Sequence, residues 1–283
     1  MLGTASNPLY LCRCESDWLL FEGGIGPHAS LILSQLQQIL PDLSSLRHWF
    51  ITHSHYDHSG AIEQLYPHFP SVKLYASKEA IANFRNQKYA EKIRQINRSI
   101  SAGGPVAHEP KTGLCLTALP FIQVDELPEI KIAAQAWTVI PTPGHSKCSL
   151  SFYNRSKKML FVSDALGEII TPQRWFPLAF ESMKSFVESV ELLSRYEVQW
   201  VALGHHGVLS AKEATSAAAA CLQSCSRFVE AVNRIVRKEG VTSAKSWINQ
   251  NYQSHNNQFI PASIFDKSID QLIKIMQTEH YIG

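Results

Sequence analysis

The feature that most constrains this chain is a dense group of histidines with one aspartate. It reads Thr52-His53-Ser54-His55-Tyr56-Asp57-His58-Ser59-Gly60 and follows directly on His48–Thr52, a predicted strand. Neutral imidazoles and ionised carboxylates are ligands that zinc, iron and manganese accept. The alternation of His53 and His55 suits two ligands on one side of a strand end. Asp57 and His58, the next two candidate ligands, lie at the start of the predicted helix Asp57–His68. A surface position explains a lone histidine, but this spacing predicts a metal site.

Three later segments each bring a histidine or an aspartate to the end of a predicted strand. They are Thr142-Pro143-Gly144-His145-Ser146 after Trp137–Ile140, Ser163-Asp164-Ala165 after Lys158–Val162, and Gly204-His205-His206-Gly207 after Gln199–Leu203. Each alone is weak evidence, because a strand-terminal aspartate is more often a turn residue or a cap than a ligand. Their repetition predicts that loops at one edge of a sandwich gather these side chains.

The order of apolar and amphipathic runs predicts a mixed α/β body. Further predicted strands are Pro8–Arg13, Trp18–Glu22, Val72–Ala76, Ile130–Ile140 and Cys148–Asn154, and predicted helices are Leu31–Leu40, Asp57–His68, Ser77–Ser101 and Glu181–Tyr196. This order favours two packed sheets covered by helices on both outer faces. After Gln199–Leu203 the pattern becomes helical, over Ala211–Lys238, Thr242–Gln250 and Ser263–Thr278. We therefore predict a body over 1–210 and a helical C-terminal extension over 211–283.

Composition narrows the class of protein further. The 283 residues are 45% hydrophobic and 18% charged, with a net charge of +2, which are values of a globular protein. The weak charge gives no reason to expect a nucleic-acid or membrane partner, and the sequence has no apolar run of about 18 residues. The six cysteines are scattered, and the first residues lack the pattern of a secretory signal. These observations predict a cytoplasmic protein.

The ligand pattern T-H-x-H-x-D-H, G-H, strand-terminal D and G-H resembles the metallo-β-lactamase superfamily, over residues from about 8 to 210. The resemblance implies a four-layer αβ/βα sandwich with two metal ions at one edge. By position it implies a first metal on His53, His55 and His145, a second on Asp57, His58 and His205, and Asp164 as a bridge between them. His205 is preferred over His206 because it directly follows the glycine.

This ligand set predicts hydrolysis by two divalent transition-metal ions. Zinc and iron fit the donors, and manganese fits them as well. Two cations about 3.5–4 Å apart lower the pKa of a shared water towards neutrality, so a bridging hydroxide forms without a protein nucleophile. Asp57 has a second oxygen that is free to accept a proton, which makes it a candidate catalytic residue.

A narrower resemblance concerns the thioesterases of the 2-aminobenzoylacetyl-CoA type, known from alkylquinolone biosynthesis. It rests on Trp18–Ile25, Asp164–Glu168 and Phe259-Ile260-Pro261. It implies cleavage of a small-molecule acyl thioester under a roof of C-terminal helices, with Glu168 near the metals and Ser268 in the pocket. A thiol leaves without a strong general acid, which fits this chemistry.

Several alternatives remain open at this stage. Trp175 and Phe176 either line an acyl pocket or pack against the C-terminal helices. The basic helix Ser77–Ser101 either receives phosphates of coenzyme A or presents a solvated face. The activity is alternatively that of a lactonase or a glyoxalase II-like esterase, or the chain is a regulatory protein that retains the metal site. The apolar helical tail is compatible with a homodimer.

Overall fold

A computed structural model describes residues 1–101, 115–253 and 260–283 of the chain. Within these ranges the α/β class is confirmed, with fourteen strands and nine α-helices. The strands are β1 Leu2–Thr4, β2 Asn7–Cys14, β3 Asp17–Phe21, β4 Leu46–Phe50, β5 Lys73–Ala76, β6 Phe121–Gln123, β7 Glu129–Ile132, β8 Gln135–Pro141, β9 Leu150–Asn154, β10 Met159–Ser163, β11 Glu168–Thr171, β12 Arg174–Phe176, β13 Trp200–Leu203 and β14 Val208–Ser210. The helices are α1 Ala29–Ile39, α2 Tyr56–Ser59, α3 Ile62–Leu65, α4 Lys78–Arg85, α5 Gln87–Ser101, α6 Met183–Leu193, α7 Ala211–Glu239, α8 Val241–Tyr252 and α9 Ala262–Thr278.

The strands form two six-stranded sheets and a separate hairpin. The first sheet has the order β1-β2-β3-β4-β5-β6, the second has the order β14-β13-β10-β9-β8-β7, and β11 pairs with β12. In the first sheet the strands from β3 to β6 are parallel. In the second, β10 is parallel to β13, and β9 is antiparallel to both β10 and β8. The strands β8, β10 and β13 therefore end at the same edge.

The two sheets pack face to face through an aromatic core. Phe21 stacks on Phe161 of the opposite sheet with ring centroids 4.0 Å apart, and Phe50 and Phe152 lie beside them. Side chains alternate along each strand, so Leu20, next to Phe21, points to the outer face, where helices cover it. Helices α1, α3, α4 and α5 cover the first sheet, and α6 to α9 cover the second. The four-layer sandwich with a helical C-terminal extension is thus confirmed.

The predicted helix Ser77–Ser101 is wrong as a single element. Ser77 does cap its start, since its Oγ accepts from the N–H of Ala80 at 3.2 Å. The chain turns extended at Asn86, however, and α4 ends there. Asn86 Oδ1 accepts from the N–H groups of Lys88 and Tyr89, so it serves as the N-cap of a second helix, α5. The segment Ser77–Ser101 is therefore composed of residues that favour a helix, but Asn86 within it ends one helix and begins another.

Two further predicted elements also divide. Ile130–Ile140 is the hairpin β7–β8, whose turn includes Ala133 at φ +50°. Asp57–His68 forms the short helices α2 and α3 followed by a 3₁₀ turn. The strand pair β11–β12 was not predicted, because its arms of four and three residues are too short to show an alternating apolar pattern. Two sequence features lie outside the described residues: Gly103-Gly104-Pro105, which predicts the end of the helix that begins at Ser77, and Phe259 of the tail motif. Among the described helices, none is long and apolar enough to cross a bilayer.

We predict that Gly144→Ala destabilises the fold strongly. Gly144 has φ +127°, and a Cβ there would lie 2.2 Å from the backbone nitrogen of Phe186. Its carbonyl oxygen accepts from the N–H groups of Glu181 and Ser182, so the turn has little room to move. We expect a loss of about 3 kcal/mol in the free energy of unfolding, measured by urea denaturation.

Gly240→Ala is the matched control. Gly240 also has a positive φ, +87°, but nothing lies within 4 Å of the Cβ position. We expect this variant to lose less, about 1–2 kcal/mol, from backbone strain alone, because its φ of +87° and ψ of 173° suit glycine. Equal losses in the two variants would contradict the role of crowding at position 144.

Candidate metal centre

The centre lies where four strands end. β4 leads into the loop that carries His53 and His55, and β8, β10 and β13 lead to His145, Asp164 and His205, respectively. The backbone N–H of Leu150 donates to the carbonyl oxygen of Thr52 at 2.9 Å, which fastens the two sheets together at this edge. The predicted meeting of all seven side chains at one edge is what the structure shows.

The first group of ligand atoms comes from three histidines. His145 Nε2 lies 3.2 Å from His53 Nε2 and 2.9 Å from His55 Nδ1. Tetrahedral ligands about 2.0–2.1 Å from a zinc ion lie about 3.3 Å from one another, which is close to these separations. The three nitrogens therefore converge as ligands of one ion would.

The second group comprises Asp57, His58 and His205, whose ligand atoms lie within 4.8 Å of one another. Asp164 stands between the two groups. Its Oδ2 lies 3.1 Å from His145 Nε2, and its Oδ1 lies 3.6 Å from His205 Nε2. Oδ2 also lies 3.4 Å from His58 Nε2 of the second group, so the carboxylate is within reach of both groups, as a bridging ligand must be.

Hydrogen bonds on the outer side of the rings fix which nitrogen points inward. Nδ1 of His145 donates to the carbonyl oxygen of Leu178 at 2.8 Å, and Nδ1 of His205 donates to that of Ser6 at 2.7 Å. In both rings Nε2 is left facing the cluster. Such outer partners hold metal-binding imidazoles in one tautomer and one orientation.

Glu22 is a buried carboxylate behind the cluster that the sequence did not single out. Its Oε2 lies 3.1 Å from His58 Nδ1 and accepts from the Thr52 hydroxyl at 2.8 Å. The Thr52 oxygen in turn lies 3.2 Å from Nδ1 of His53. Glu22 has φ +76°, a strained backbone for a residue other than glycine. The sequence feature that could have indicated Glu22 is the position of an acidic residue directly after the apolar strand β3.

Glycine is required beside the bridging position. A Cβ on Gly204 would lie 2.0 Å from Asp164 Oδ1 and 3.0 Å from the His58 ring. The glycine of the G-H element therefore makes room for the carboxylate and does not only shape the turn. The next residue, His206, has φ +67° and points its Nε2 towards Glu168 Oε1 at 3.3 Å. The geometry thus favours His205, and not His206, as the ligand.

Burial and mutual repulsion keep part of the cluster neutral. Burial lowers the pKa of His55 to about 3, and the neighbouring His145 adds to this effect. Burial likewise holds the pKa of His53 well below its usual range. For Asp164, burial opposes ionisation, yet the surrounding imidazoles, above all that of His58, hold its pKa well below the usual range. Neutral imidazoles beside an ionised carboxylate are the protonation states that metal binding requires.

The centre of the cluster attracts positive charge. Burial would lower the pKa of His58, but the carboxylates of Asp164 and Glu22 outweigh it and raise that pKa well above the usual value. In addition, His58 Nε2 and Asp164 Oδ1 are buried and have no hydrogen-bond partner among the described residues. Buried ligand atoms without a hydrogen-bond partner are costly unless a cation compensates them. The residues present therefore fit a pair of metal ions.

A cavity of about 450 Å³ opens from the cluster. It is lined by three of the other predicted site residues, Glu168, Phe176 and Ser268. Trp175 does not line it, because neighbouring side chains on a strand face opposite ways. Its side chain packs in the core, and its backbone N–H donates to Ser224 Oγ of α7. The prediction of Trp175 as a pocket residue is therefore wrong, and the alternative of packing against the C-terminal helices holds for it.

For the segment that forms α5, the sequence suggested only a phosphate-binding or a solvated face, and not that its apolar side would form part of the cavity wall. Tyr89, Ile93 and Ile96 of this helix line the cavity beside the cluster. The Tyr89 hydroxyl also donates to the carbonyl oxygen of Ser54 at 3.1 Å, so it supports the loop between His53 and His55. The spacing of Tyr89, Ile93 and Ile96 is helical, but this pattern does not distinguish a cavity wall from a packed core.

The four-layer αβ/βα sandwich and the His/Asp cluster at one edge together define a class of metal-binding proteins. The model of the metallo-beta-lactamase superfamily matches residues 5–205, and the chain belongs to that superfamily. Acyl-coenzyme A thioesterase MBLAC2 of Gallus gallus is 29% identical over 172 residues, covering 57% of this chain and 57% of that protein. Probable metallo-hydrolase YflN of Bacillus subtilis is 24% identical over 172 residues, covering 56% and 60%, respectively. The chain thus spans little more than half the length of these curated relatives.

Solved structures share the fold. A metallo-beta-lactamase family protein from Thermus thermophilus superimposes with a TM-score of 0.63 at 17% identity, over 97% of this chain and 89% of that one. An archaeal metallo-beta-lactamase superfamily protein from Sulfolobus tokodaii gives a TM-score of 0.61 at 16% identity, over 90% and 93%. At this identity the likeness establishes the architecture alone.

We predict that Asp164→Ala loses metal. The wild-type chain, purified without added zinc, is expected to hold about two transition-metal ions, and the variant is expected to lose at least one of them, since its bridging carboxylate is gone. Metal content is measured by plasma mass spectrometry after gel filtration. Asp266→Ala, on the exposed side of α9, serves as the control and should retain the full content. A full complement in Asp164→Ala would refute the bridging assignment.

We predict that Glu22→Gln weakens metal binding without removing a ligand. The amide keeps the shape of the side chain but loses the charge that orients His58, so we expect about tenfold lower affinity, measured by competition with a chelator. Glu63→Gln is the control, because Glu63 is also buried but bonds Arg94 outside the cluster. Equal metal affinity in Glu22→Gln and the wild type would contradict the role of Glu22 in orienting His58.

Proposed function

We propose that this protein is a dinuclear metal-dependent hydrolase that cleaves an acyl thioester, and that its substrate is a small molecule of the acyl-coenzyme A kind. The observation that carries the proposal is the complete set of seven converging ligands, which a chain freed from catalysis would be expected to lose in part. The similarity to an acyl-coenzyme A thioesterase supports the choice of substrate, as does the resemblance of the Asp164–Glu168 segment to thioesterases of the 2-aminobenzoylacetyl-CoA type.

The two groups of ligands would hold the ions, with Asp164 between them. Zinc and iron suit the donors equally, and manganese also suits them. Two bound ions supply a lowered pKa for water and polarisation of a carbonyl oxygen. The remaining steps fall to the chain itself, which must admit the thioester, orient its carbonyl group and move protons.

The walls of the cavity suit an acyl group. Phe176, Leu178 and Phe180 line one side, and Ile264 and Phe265 of α9 line another. These side chains would remove an apolar acyl chain from water and leave the thioester carbonyl against the ligands. The Phe180 ring lies 5.5 Å from that of His145, so the apolar wall reaches the cluster itself.

Two carboxylates are placed to handle protons and polar groups. Asp57 lines the cavity and carries a free oxygen that would accept the proton released when water attacks the carbonyl carbon. Glu168 also lines the cavity, and the contact with His206 holds its carboxylate in place. There it would orient water or a polar group of the acyl chain. The departing thiolate needs no strong acid, since a thiol has a pKa of about 8.5.

The test is a panel of substrates offered to the metal-loaded protein. We expect acyl-coenzyme A thioesters to be hydrolysed with a higher kcat/KM than S-lactoylglutathione or acyl lactones, and His58→Ala to lower that value at least about 100-fold. Circular dichroism checks that the variant is folded. Preference for a lactone or for S-lactoylglutathione would instead favour a lactonase or a glyoxalase II-like esterase. A wild-type rate no greater than that of His58→Ala on every substrate would favour a regulatory protein that retains the site.

A further inference from the structure

The outer side of α5 carries a second, more open depression of about 400 Å³. It is lined by Gln87, Lys88, Glu91, Lys92, Arg94 and Gln95, which we call the α5 shelf. Lys92 also lines the cavity that opens from the metal centre. The shelf and the cavity therefore adjoin at Lys92. A molecule bound in the cavity that extends outward along α5 would lie over the shelf.

The shelf has an excess of positive charge. Its acidic residue, Glu91, is paired with Arg94 at 3.4 Å and with Arg98, so its charge is already compensated. Arg94 is itself bound to the buried Glu63. Lys88 and Lys92, by contrast, have no carboxylate within 4.0 Å among the described residues. Both are exposed and stand one helical turn apart, with Cβ atoms about 6 Å from each other.

The opposite helix adds a cation to the cavity. Lys267 of α9 lines it, is exposed, and has no carboxylate partner in the described part of the chain. The acidic residues of α9 do not offset it, because Asp270 is paired with Lys245 and neither Asp270 nor Asp266 lines the cavity. The cavity thus has carboxylates at the metal centre, apolar walls in the middle and lysines on α5 and α9.

We propose that Lys88, Lys92 and Lys267 bind the phosphate groups of a coenzyme A leaving group. This inference rests on the proposed function and fixes the direction in which the substrate lies. The acyl chain contacts the apolar wall, the thioester carbonyl faces the metal ligands, and the phosphorylated part of the thiol extends past Lys92 over the α5 shelf. Lysine binds phosphate as a point charge, and each exposed contact is individually weak.

The first measurement is direct binding of coenzyme A to the metal-loaded protein by isothermal titration calorimetry. We expect Lys92→Ala and Lys267→Ala each to weaken binding about fivefold, the size of an exposed ion pair, and the Lys88→Ala/Lys92→Ala double variant to weaken it about tenfold or more. Binding to the wild type should also weaken as salt is added. Lys274→Ala is the matched control, since Lys274 is exposed on α9 but lines neither cavity nor shelf.

The second measurement compares butyryl-coenzyme A with S-butyryl-N-acetylcysteamine, which has the same thioester but no phosphate. The lysine variants should raise KM for the coenzyme A thioester by the same factors, with kcat unchanged, and leave the kinetics of the short thioester as in the wild type. Equal effects on both substrates, or no effect on either, would overturn the proposal.

The two proposals fail in different ways. If the lysine variants weaken coenzyme A binding but no thioester is hydrolysed, the anion site stands and the proposed activity fails. If both thioesters are hydrolysed equally well and coenzyme A binding is insensitive to the lysines and to salt, the activity stands and the anion site fails.

Discussion

The structure depends on holding several imidazoles and carboxylates close together in a buried position at the end of the cavity. Burial penalises every charged form there, and bare nitrogen atoms face each other at hydrogen-bond distance. The surrounding chain counters this with fixed partners on the far side of the rings, such as the carbonyl of Leu178 and the carboxylate of Glu22. Strained backbone at Glu22, Ser163 and His206, all with positive φ, is concentrated around the same point.

Most of the ligand set was readable from sequence because each ligand follows the end of a strand. Parallel strand ends meet at one edge, so residues far apart in order, such as His55 and His205, come together once the sheets form. Element types were predicted well where periodicity was long, as in α7 and α9. Predicted element boundaries were wrong where a single polar side chain determines them. Asn86 ends one helix and caps the next, and the spacing of hydrophobic residues does not indicate this.

The support of the site and the shape of the cavity were harder to predict, because they depend on side-chain direction and on contacts between distant elements. Glu22 was predicted only as the last residue of the strand Trp18–Glu22, and the packing of the two sheets is what shows that it reaches His58. Phe176 and Trp175 are neighbours of equal apolar character and both pack in the core, yet only Phe176 also lines the cavity. Nothing in composition separates them; the register of β11 against β12 does.

The cluster and the cavity wall are built from different parts of the chain. The ligands sit on loops that the paired sheets fasten, through contacts such as the bond from Leu150 to Thr52, whereas α9 contributes to the wall from the C-terminal extension. Under the proposed function, replacements on the inner face of α9 would change which molecules enter the cavity and leave the ligand set at the sheet edge unchanged. If that function holds, new substrates could be acquired in evolution through changes in one helix, without any change in the seven cluster residues.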